Sequence, residues 1–392
     1  MRVVQTVFGK FHHFHLARQL HRRGMLAGIF SSYPSWKLRD QQVPMDLVHT
    51  FPYVHMTQLA AGRYLPGSGL DSGELSWWLA LSLDGYVAGR LPDCDVFVGI
   101  SGSGLKTGRL TQERGGKYIC DRGSSHIRWM DRILAEEFTR WGQEFGGTYA
   151  KHLTREEKEY DQSDVLTVPS EFARSTYLEM GVPADKVKKV SLGSDLSHFS
   201  KVAEPAQDSF DVLFVGQVSF RKGIPYLLEA FEKLRHPRKT LTLAGAVLPE
   251  IKEYLQRKSP ANVEFIGSQT RDGLKGLMSR SHVMVLPSIE DGFGMVIGEA
   301  MACGCPVITS ENCGGRELID DSLEGFIVPV RDSAAITERL ERLAQDPSLR
   351  ETMGAHSLAR VTRIGGWDTY GRDFVAVLES LTTAGARLGA AA

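Results

Sequence analysis

Two acids, Asp291 and Glu299, stand eight positions apart, with Gly292, Phe293, Gly294, Met295 and Val296 among the residues between them. By type alone, paired carboxylates could serve as general acid and base or accept hydrogen bonds from hydroxyl groups. The glycines favour the second use. With only hydrogen for side chains, Gly292 and Gly294 let backbone N–H groups converge on an anion at the start of a helix. An ionised acid beside that anion is repulsive unless it holds something neutral, such as the hydroxyls of a sugar or ribose. A second group lies upstream, in Gly216-Gln217-Val218-Ser219-Phe220-Arg221-Lys222-Gly223. Arg221 and Lys222 offer the fixed positive charge that a departing diphosphate needs. Charge-assisted hydrogen bonds contribute about 1.5–3 kcal/mol each, whereas a helix dipole adds about 0.3–1 kcal/mol. The cations therefore outweigh the dipole.

These groups need elements that hold them at one edge of a sheet. Apolar runs at Val212 to Val215 and Val283 to Leu286 read as strands, each followed directly by one of the two groups. A helix from about Met295 is stopped by Gly304 and Pro306, and the strand Val307 to Ser310 comes next. Further strand and helix patterns alternate around them, at 240–243, 263–266 and 325–328 for strands and 225–234, 272–279 and 333–344 for helices. The expectation is a parallel sheet with helices on both faces, and ligands beyond the carboxyl ends of its strands. An earlier unit repeats the scheme, with the strand Val3 to Val7, the loop Phe8 to His13, and strands at 26–30, 95–100, 117–120, 165–168 and 187–192. Residues 33–70 show too weak a pattern to place elements. Trp77, Trp78, Leu79, Leu81 and Leu83 suggest a buried helix. The charges of residues 121–160 (Glu136, Glu137, Arg140, Arg155, Glu156) read as a solvated helical face. The polar stretch 197–210 reads as a linker, and a tail helix from Trp367 to about Leu381 comes after Gly365-Gly366, with a frayed end from Thr382. The expected division is 1–200, 201–365 and a tail, 366–392, that crosses back to the first unit.

At 392 residues, the chain has room for two or three cores. A formal net charge of -1 argues against bulk nucleic-acid binding. No apolar run reaches the roughly 20 residues of a membrane span, and no signal-peptide pattern leads the chain, so a cytoplasmic protein is expected. The five cysteines, Cys94, Cys120, Cys303, Cys305 and Cys313, lack CxxC spacing and read as reduced, buried thiols. Three apparent motifs are set aside. Residues 99–108 (GISGSGLKTG) nearly match a phosphate loop, but Leu105 parts Gly104 from Lys106, so a tight strand-to-helix turn is expected. Asp93-Cys94-Asp95 precedes its strand. His12, His13, His15 and His21 lack a joining carboxylate, so no metal site is expected there.

The pattern resembles the retaining, nucleotide-sugar-dependent glycosyltransferases of the GT-B fold, in the fourth sequence family of that kind. It is carried by 287–310 (PSIEDGFGMVIGEAMACGCPVITS) and 212–231 (VLFVGQVSFRKGIPYLLEAF), then by Val168 to Phe172, Leu192 to Asp195, Cys313 to Glu317 and Gly325. The resemblance implies two doubly wound Rossmann-like α/β domains facing across a cleft. It places Asp291 and Glu299 in the paired-acid motif, facing the donor sugar and the ribose, and Lys222 on the diphosphate. Two departures stand out: aspartate at 291, where glutamate is usual, and Gln217, where arginine is usual. Arg221 is the candidate replacement for that missing charge. The residues after 263–266, Ile266, Gly267 and Ser268, would seat the base. Gly9, Lys10, His12 and Arg122 would face the acceptor, and His126 is the candidate for a histidine that many members bring to the sugar. Asp291, Lys222, Arg221 and His126 are thus the expected catalytic residues; Gly216, Gln217 and the loop 292–296 join Glu299 in donor binding. The resemblance implies transfer with retention from a nucleoside-diphosphate sugar, UDP ahead of GDP, by same-face displacement in which the departing phosphate takes the acceptor proton. Polysaccharide or glycoconjugate synthesis is the expected setting. The acceptor would be a glycan, a lipid-linked sugar or a small molecule; no metal is expected, and basic residues Arg18, Arg22 and Arg23 leave a weak membrane-surface association open. A sugar-nucleotide epimerase or a catalytically silent binding module are the competing readings.

Overall fold

The computed structural model describes residues 1–64, 73–258 and 260–389. Among these residues, thirteen strands form two parallel sheets. The first holds β1 (Val3–Val7), β2 (Leu26–Ser31), β3 (Val48–Thr50), β4 (Val96–Ile100), β5 (Lys117–Asp121), β6 (Val165–Val168) and β7 (Val187–Lys189) in the order β3-β2-β1-β4-β5-β6-β7. The second holds β8 (Phe210–Val215), β9 (Lys239–Ala244), β10 (Val263–Phe265), β11 (Val283–Leu286), β12 (Val307–Ser310) and β13 (Gly325–Val328) in the order β10-β9-β8-β11-β12-β13. In each sheet the strand order reverses beside the first strand, between β1 and β4 and between β8 and β11. Crevices open at such points, beyond the strands' carboxyl ends.

Alternation along the central strands explains how one sheet supports two cores. Val3, Ile29, Val96, Val98 and Ile119 point to one face of the first sheet, and Val4, Phe30, Phe97, Tyr118 and Cys120 to the other. The helix Trp367–Gly389 closes the first face through Tyr370, Phe374 and Leu378, packed against the helix His13–Arg22. Where the chain passes between units it is pinned: a Cβ on Gly193 would stand 2.6 Å from the Trp367 nitrogen, so only glycine fits there.

Several expectations are corrected. The segment 33–70 contains β3 and the helix Tyr53–Tyr64, while 65–70 lie outside the described residues. Trp78 is 57% exposed although its helix, Gly73–Ala88, buries Leu79 and Leu83. The helix Pro347–Val361 had no reading in sequence, and the tail helix runs on to Gly389, past the expected fraying at Thr382. Glu137, Arg155 and Glu156 are buried rather than solvated. Their partners lie far away in sequence: Arg331 Nε donates to Glu137 at 2.7 Å, Arg155 pairs with Asp84, and Arg122 pairs with Glu156. The helix Ile127–Arg140 also lends Trp129, Ile133 and Leu134 to the core of the second sheet, and Trp141 packs on Tyr226 and Tyr254. All five cysteines are free thiols, and all but Cys94 are buried.

Candidate functional site

The loops after β8 and β11 are locked together by shape before any charge is considered. Gly223 has φ +69°, and a Cβ there would stand 2.0 Å from the Pro287 carbonyl oxygen. That contact sets two consecutive cations opposite two consecutive acids. Lys222 Nζ donates to Asp291 Oδ2 at 2.5 Å. The other carboxylate oxygen accepts the Gly294 N–H at 3.2 Å, which shapes the turn into the helix Val296–Ala302. Next door, Arg221 Nε donates to Glu290 Oε2 at 2.8 Å. Glu290 is fully buried and also accepts from the hydroxyls of Ser124 and Ser125, each at 2.7 Å, across from the first unit. Burial alone would push its carboxyl up; the Arg221 charge and the serine hydrogen bonds win and hold it down at about 2. Arg221 is therefore not a spare cation, because a buried partner already balances it.

The two units touch at this place. A Cβ on Gly292 would meet the Gly123 carbonyl oxygen at 2.3 Å, and Ser170 Oγ donates to the Gly292 carbonyl at 2.7 Å. Beside the contact lies a cleft of about 820 Å³. Its second-unit wall is Arg221, Asp291, Gly292, Phe293, Gly294 and Met295; its first-unit wall includes Phe8, Lys10, His12, Ser101 and Arg122. Lys222 reaches this cavity only through Asp291. Gly216, Gln217, Val296 and Glu299 lie outside its walls, as do Ile266, Gly267 and Ser268 beyond the edge strand β10. Glu299 is half-buried; burial pushes its carboxyl up, with Arg271 opposing. The Ile266 carbonyl accepts from Gln269 Nε2 at 2.7 Å, so this backbone group is partly engaged by its own loop.

On the first-unit side, Gly9 (φ +68°) turns the chain under the Tyr33 ring and gives its N–H to Ser32 Oγ at 3.0 Å. Lys10 pairs with Asp40 at 2.9 Å, and Arg122 with Glu156 at 2.7 Å. His12 Nε2 lies 2.6 Å from Asp121 Oδ2, and His13 Nε2 lies 3.3 Å from the same oxygen. Thr167 Oγ1 donates to Asp121 Oδ1 at 2.6 Å. Burial would raise the Asp121 carboxyl, but His12, His13 and Thr167 hold it below its usual range. Full burial drops His13 to about 3, which keeps it neutral. This cluster overturns the expectation that no carboxylate joins these histidines. His12, His13 and Asp121 each bring one donor atom within 4.8 Å of the others, and they are the residues that could hold a metal ion among those described.

His126 is a correction. It is buried at the start of the helix Ile127–Arg140, where Nδ1 accepts the Arg128 N–H at 3.2 Å and the ring packs edge-on against Tyr160 and Tyr177. Burial lowers it to about 4. It does not line the cleft. The reason is that β5 runs through Asp121, so the residues at the strand end are Asp121 and Arg122, and His126 is left to cap the helix. The near phosphate loop at 99–108 has its amides filled from within. Glu159 accepts the N–H groups of Gly102, Gly104 and Leu105 at 2.6–3.1 Å, and Asp84 accepts those of Lys106 and Thr107 at 2.8 and 2.9 Å. Sequence reasoning missed Glu290 as a member of the site. Its one visible signal was an acid next to Asp291, with no hint of partners 165 residues away.

The family model described as glycosyl transferases group 1 matches residues 197–359, which contain every second-unit residue named above. An uncharacterized glycosyltransferase of Methanocaldococcus jannaschii is 29% identical over 276 residues, 64% of this chain and 70% of that protein. Other curated relatives, at 24–28% identity, are matched over 39–59% of their own length, so the chain spans about half of them. Among solved structures, sucrose-phosphate synthase from Thermosynechococcus elongatus superposes with a TM-score of 0.72 at 22% identity, over 98% of this chain and all of that one. Anabaena HepE, solved with UDP and glucose, gives 0.68 at 17% identity over 97% of this chain and all of that one. The residues matched by the family model thus lie in the second half of a GT-B fold, two parallel sheets facing across a cleft. No helix among the described residues is long and apolar enough to cross a membrane.

Proposed function

We propose that the protein is a glycosyltransferase that moves a sugar, with retention of configuration, from a nucleoside-diphosphate sugar to an acceptor hydroxyl. The observation that carries this reading is the pairing of Lys222 with Asp291 at the mouth of β8 and β11, on the wall of a cleft shared by both units. A donor diphosphate arriving there takes the ammonium of Lys222 as its counter-charge. Asp291, released from the lysine, is then free to accept a sugar hydroxyl while its other oxygen stays on the Gly294 N–H. Glu299, unpaired by hydrogen bonds among the described residues and half-buried, takes the ribose hydroxyls. Arg221 stays on Glu290 and keeps the loop in place. Charge on the leaving diphosphate is met by Lys222 and by backbone N–H groups at 292–294, without a metal.

A UDP-sugar is favoured over a GDP-sugar, because HepE, of the same fold, has been solved with UDP and with UDP-glucose. The cytoplasm, where nucleotide sugars are made, is the proposed compartment, and synthesis of a polysaccharide or glycoconjugate the proposed role. The test is direct. Melting temperature is measured against a panel of UDP- and GDP-sugars, since a bound donor raises it by mass action. Donors that bind are then incubated with sugar and alkyl-glycoside acceptors, and the anomeric configuration of any product is read by proton NMR. A panel without a stabilising nucleotide sugar would sink the reading; an inverted product would sink retention alone.

A further inference from the structure

The acceptor half of the cleft has a character that the donor reading leaves unexplained. Its first-unit wall carries Phe8 and Phe11 from the loop after β1, Leu79 and Ala80 from the helix Gly73–Ala88, Ile100 from the end of β4 and Met130 from the helix Ile127–Arg140. We propose that the acceptor is an amphipathic small molecule, a hydroxyl on an apolar ring skeleton such as a phenol or an alicyclic alcohol, and not a free sugar. This deepens the transferase reading above and rests on it.

The polar groups of that wall are engaged within the protein. Lys10 Nζ donates to both oxygens of Asp40 at 2.9 Å, and Arg122 Nη1 to both oxygens of Glu156 at 2.9 and 2.7 Å. Ser101 donates to the same glutamate, and Ser124 donates to Glu290 at 2.7 Å. Ser76 Oγ accepts from Gln58 Nε2 at 2.7 Å, and the His152 ring lies 3.2 Å from the Gly73 carbonyl oxygen. A sugar leaving water gives up hydrogen bonds at every hydroxyl, and a site binds it only if its lining replaces them. Among the described residues, this wall keeps its polar atoms for its own structure. An apolar ring makes no such demand and gains from leaving water.

The helix Gly73–Ala88 shows how the wall arises. Ser76, Leu79 and Ala80 stand at i, i+3 and i+4, so one face of its first turns meets the cleft, while Leu83 and Val87 further along go to the core. The rim has the same character. Phe11 is 61% exposed and Met295 38% exposed, one from each unit, and both line the cleft. Across from the apolar wall stand Asp291 and the backbone N–H groups at 292–294. Polarity is thus divided between the two sides, and the acceptor lies with its hydroxyl toward the donor and its ring on Phe8 and Phe11. Size and the outer lip select a compact ring over a long chain. The cavity of about 820 Å³ must also receive the donor's sugar and diphosphate. Next to Phe11 the lip turns charged, where Lys10 meets the exposed Asp40, so an acyl or prenyl chain leaving there would cross an ion pair.

The transfer itself is unchanged. The acceptor oxygen bonds to the anomeric carbon, the bond from that carbon to the diphosphate breaks with its electron pair leaving on the diphosphate, and the diphosphate takes up the acceptor's proton.

The test uses the full chain, Phe11→Ser and Phe11→Leu, with UDP as the donor-site probe. Phe11 is mostly exposed, so both variants should fold and show the same UDP-induced rise of melting temperature as the wild type. Saturation-transfer NMR on a mixture of 2-naphthol, menthol and methyl β-glucoside should show saturable binding of the first two. The dissociation constant for 2-naphthol should weaken by about 10-fold in Phe11→Ser, the lower end of what a hydrophobic pocket discriminates, and Phe11→Leu should recover most of it. With a UDP-sugar that the enzyme turns over, kcat/KM should be about 100-fold higher for 2-naphthol or menthol than for methyl β-glucoside or decanol. Preferred transfer to the glucoside or to decanol overturns the proposal. So does a lack of saturable ring binding, or 2-naphthol binding that Phe11→Ser leaves unchanged. Absence of any UDP-induced shift in the wild type overturns the donor reading instead, and the ring-binding arm still reports on the wall.

Discussion

Lys222 and Asp291, on loops from neighbouring strands, form a 2.5 Å ion pair that repeats one residue along as Arg221 and Glu290. The pairs differ in surroundings. Lys222 and Asp291 keep partial contact with solvent, whereas Glu290 has none. One pair is therefore open to exchange with a ligand and the other is a fixed strut.

The exchangeable pair gives the first prediction. Lys222→Ala should lower turnover of the donor by about 10- to 100-fold, the worth of one charge-assisted hydrogen bond of roughly 1.5–3 kcal/mol. Melting temperature without ligand should change little, because the Asp291 left behind can be hydrated. Steady-state kinetics beside a thermal melt separates the two effects.

The strut behaves in the opposite way. Arg221→Ala leaves the Glu290 carboxylate buried without its cation, and breaking a buried pair from one side costs about 3–5 kcal/mol. The denaturant midpoint should fall accordingly, and Glu290→Gln, which removes the charge but keeps the shape, should lose less. Equal stability of wild type and Arg221→Ala would show that the pair contributes nothing.

Contact between the units is tested at Gly292. A Cβ at 2.3 Å from the Gly123 carbonyl cannot be accommodated without moving one loop. Gly292→Ala should therefore keep the fold, since each sheet has its own core, but lose most transfer. Small-angle scattering should report a slightly more open particle.

Acid should weaken the protein in two stages. His13 and His15 are lowered to about 3 in the fold from an ordinary value near 6.5. Their contribution is complete above pH 6.5 and is lost as pH falls toward 3, because the unfolded chain binds those protons first. Glu290, held at about 2 against an ordinary 4.5, adds stability that is complete above pH 4.5 and is lost between there and pH 2. Melts across about pH 8 to 3 should show a decline that begins below neutrality, and His13→Gln should flatten its upper part.

Much of this was legible in the chain itself. β8, β11 and β12 are short apolar runs bounded by glycine or proline, so their order and the loops at their ends could be placed from residue type. Asp291 and the adjoining glycines were found that way. The features that could not be read share one cause: their partners are distant in sequence. Glu137 reads as a surface acid until Arg331 is brought to it, and Glu156 until Arg122 is. His12 and Asp121, 109 residues apart, carry no mutual signal. His126 was offered as the histidine that follows β5, and nothing in its type showed that it would cap the next helix instead. β3 and the helix after it were missed because aromatic and polar residues there keep neither a two-residue nor a helical period.

Glu290 also bears on how such a chain can be recombined. Its hydrogen bonds and ion contacts come from Arg221 in its own half and from Ser124 and Ser125 in the other. A hybrid that joins this second half to the first half of a relative without the two hydroxyls would bury the carboxylate with part of its solvation missing. Acceptor specificity can therefore be exchanged by grafting a whole first half only if that serine pair travels with it, or if position 290 is made neutral at the same time.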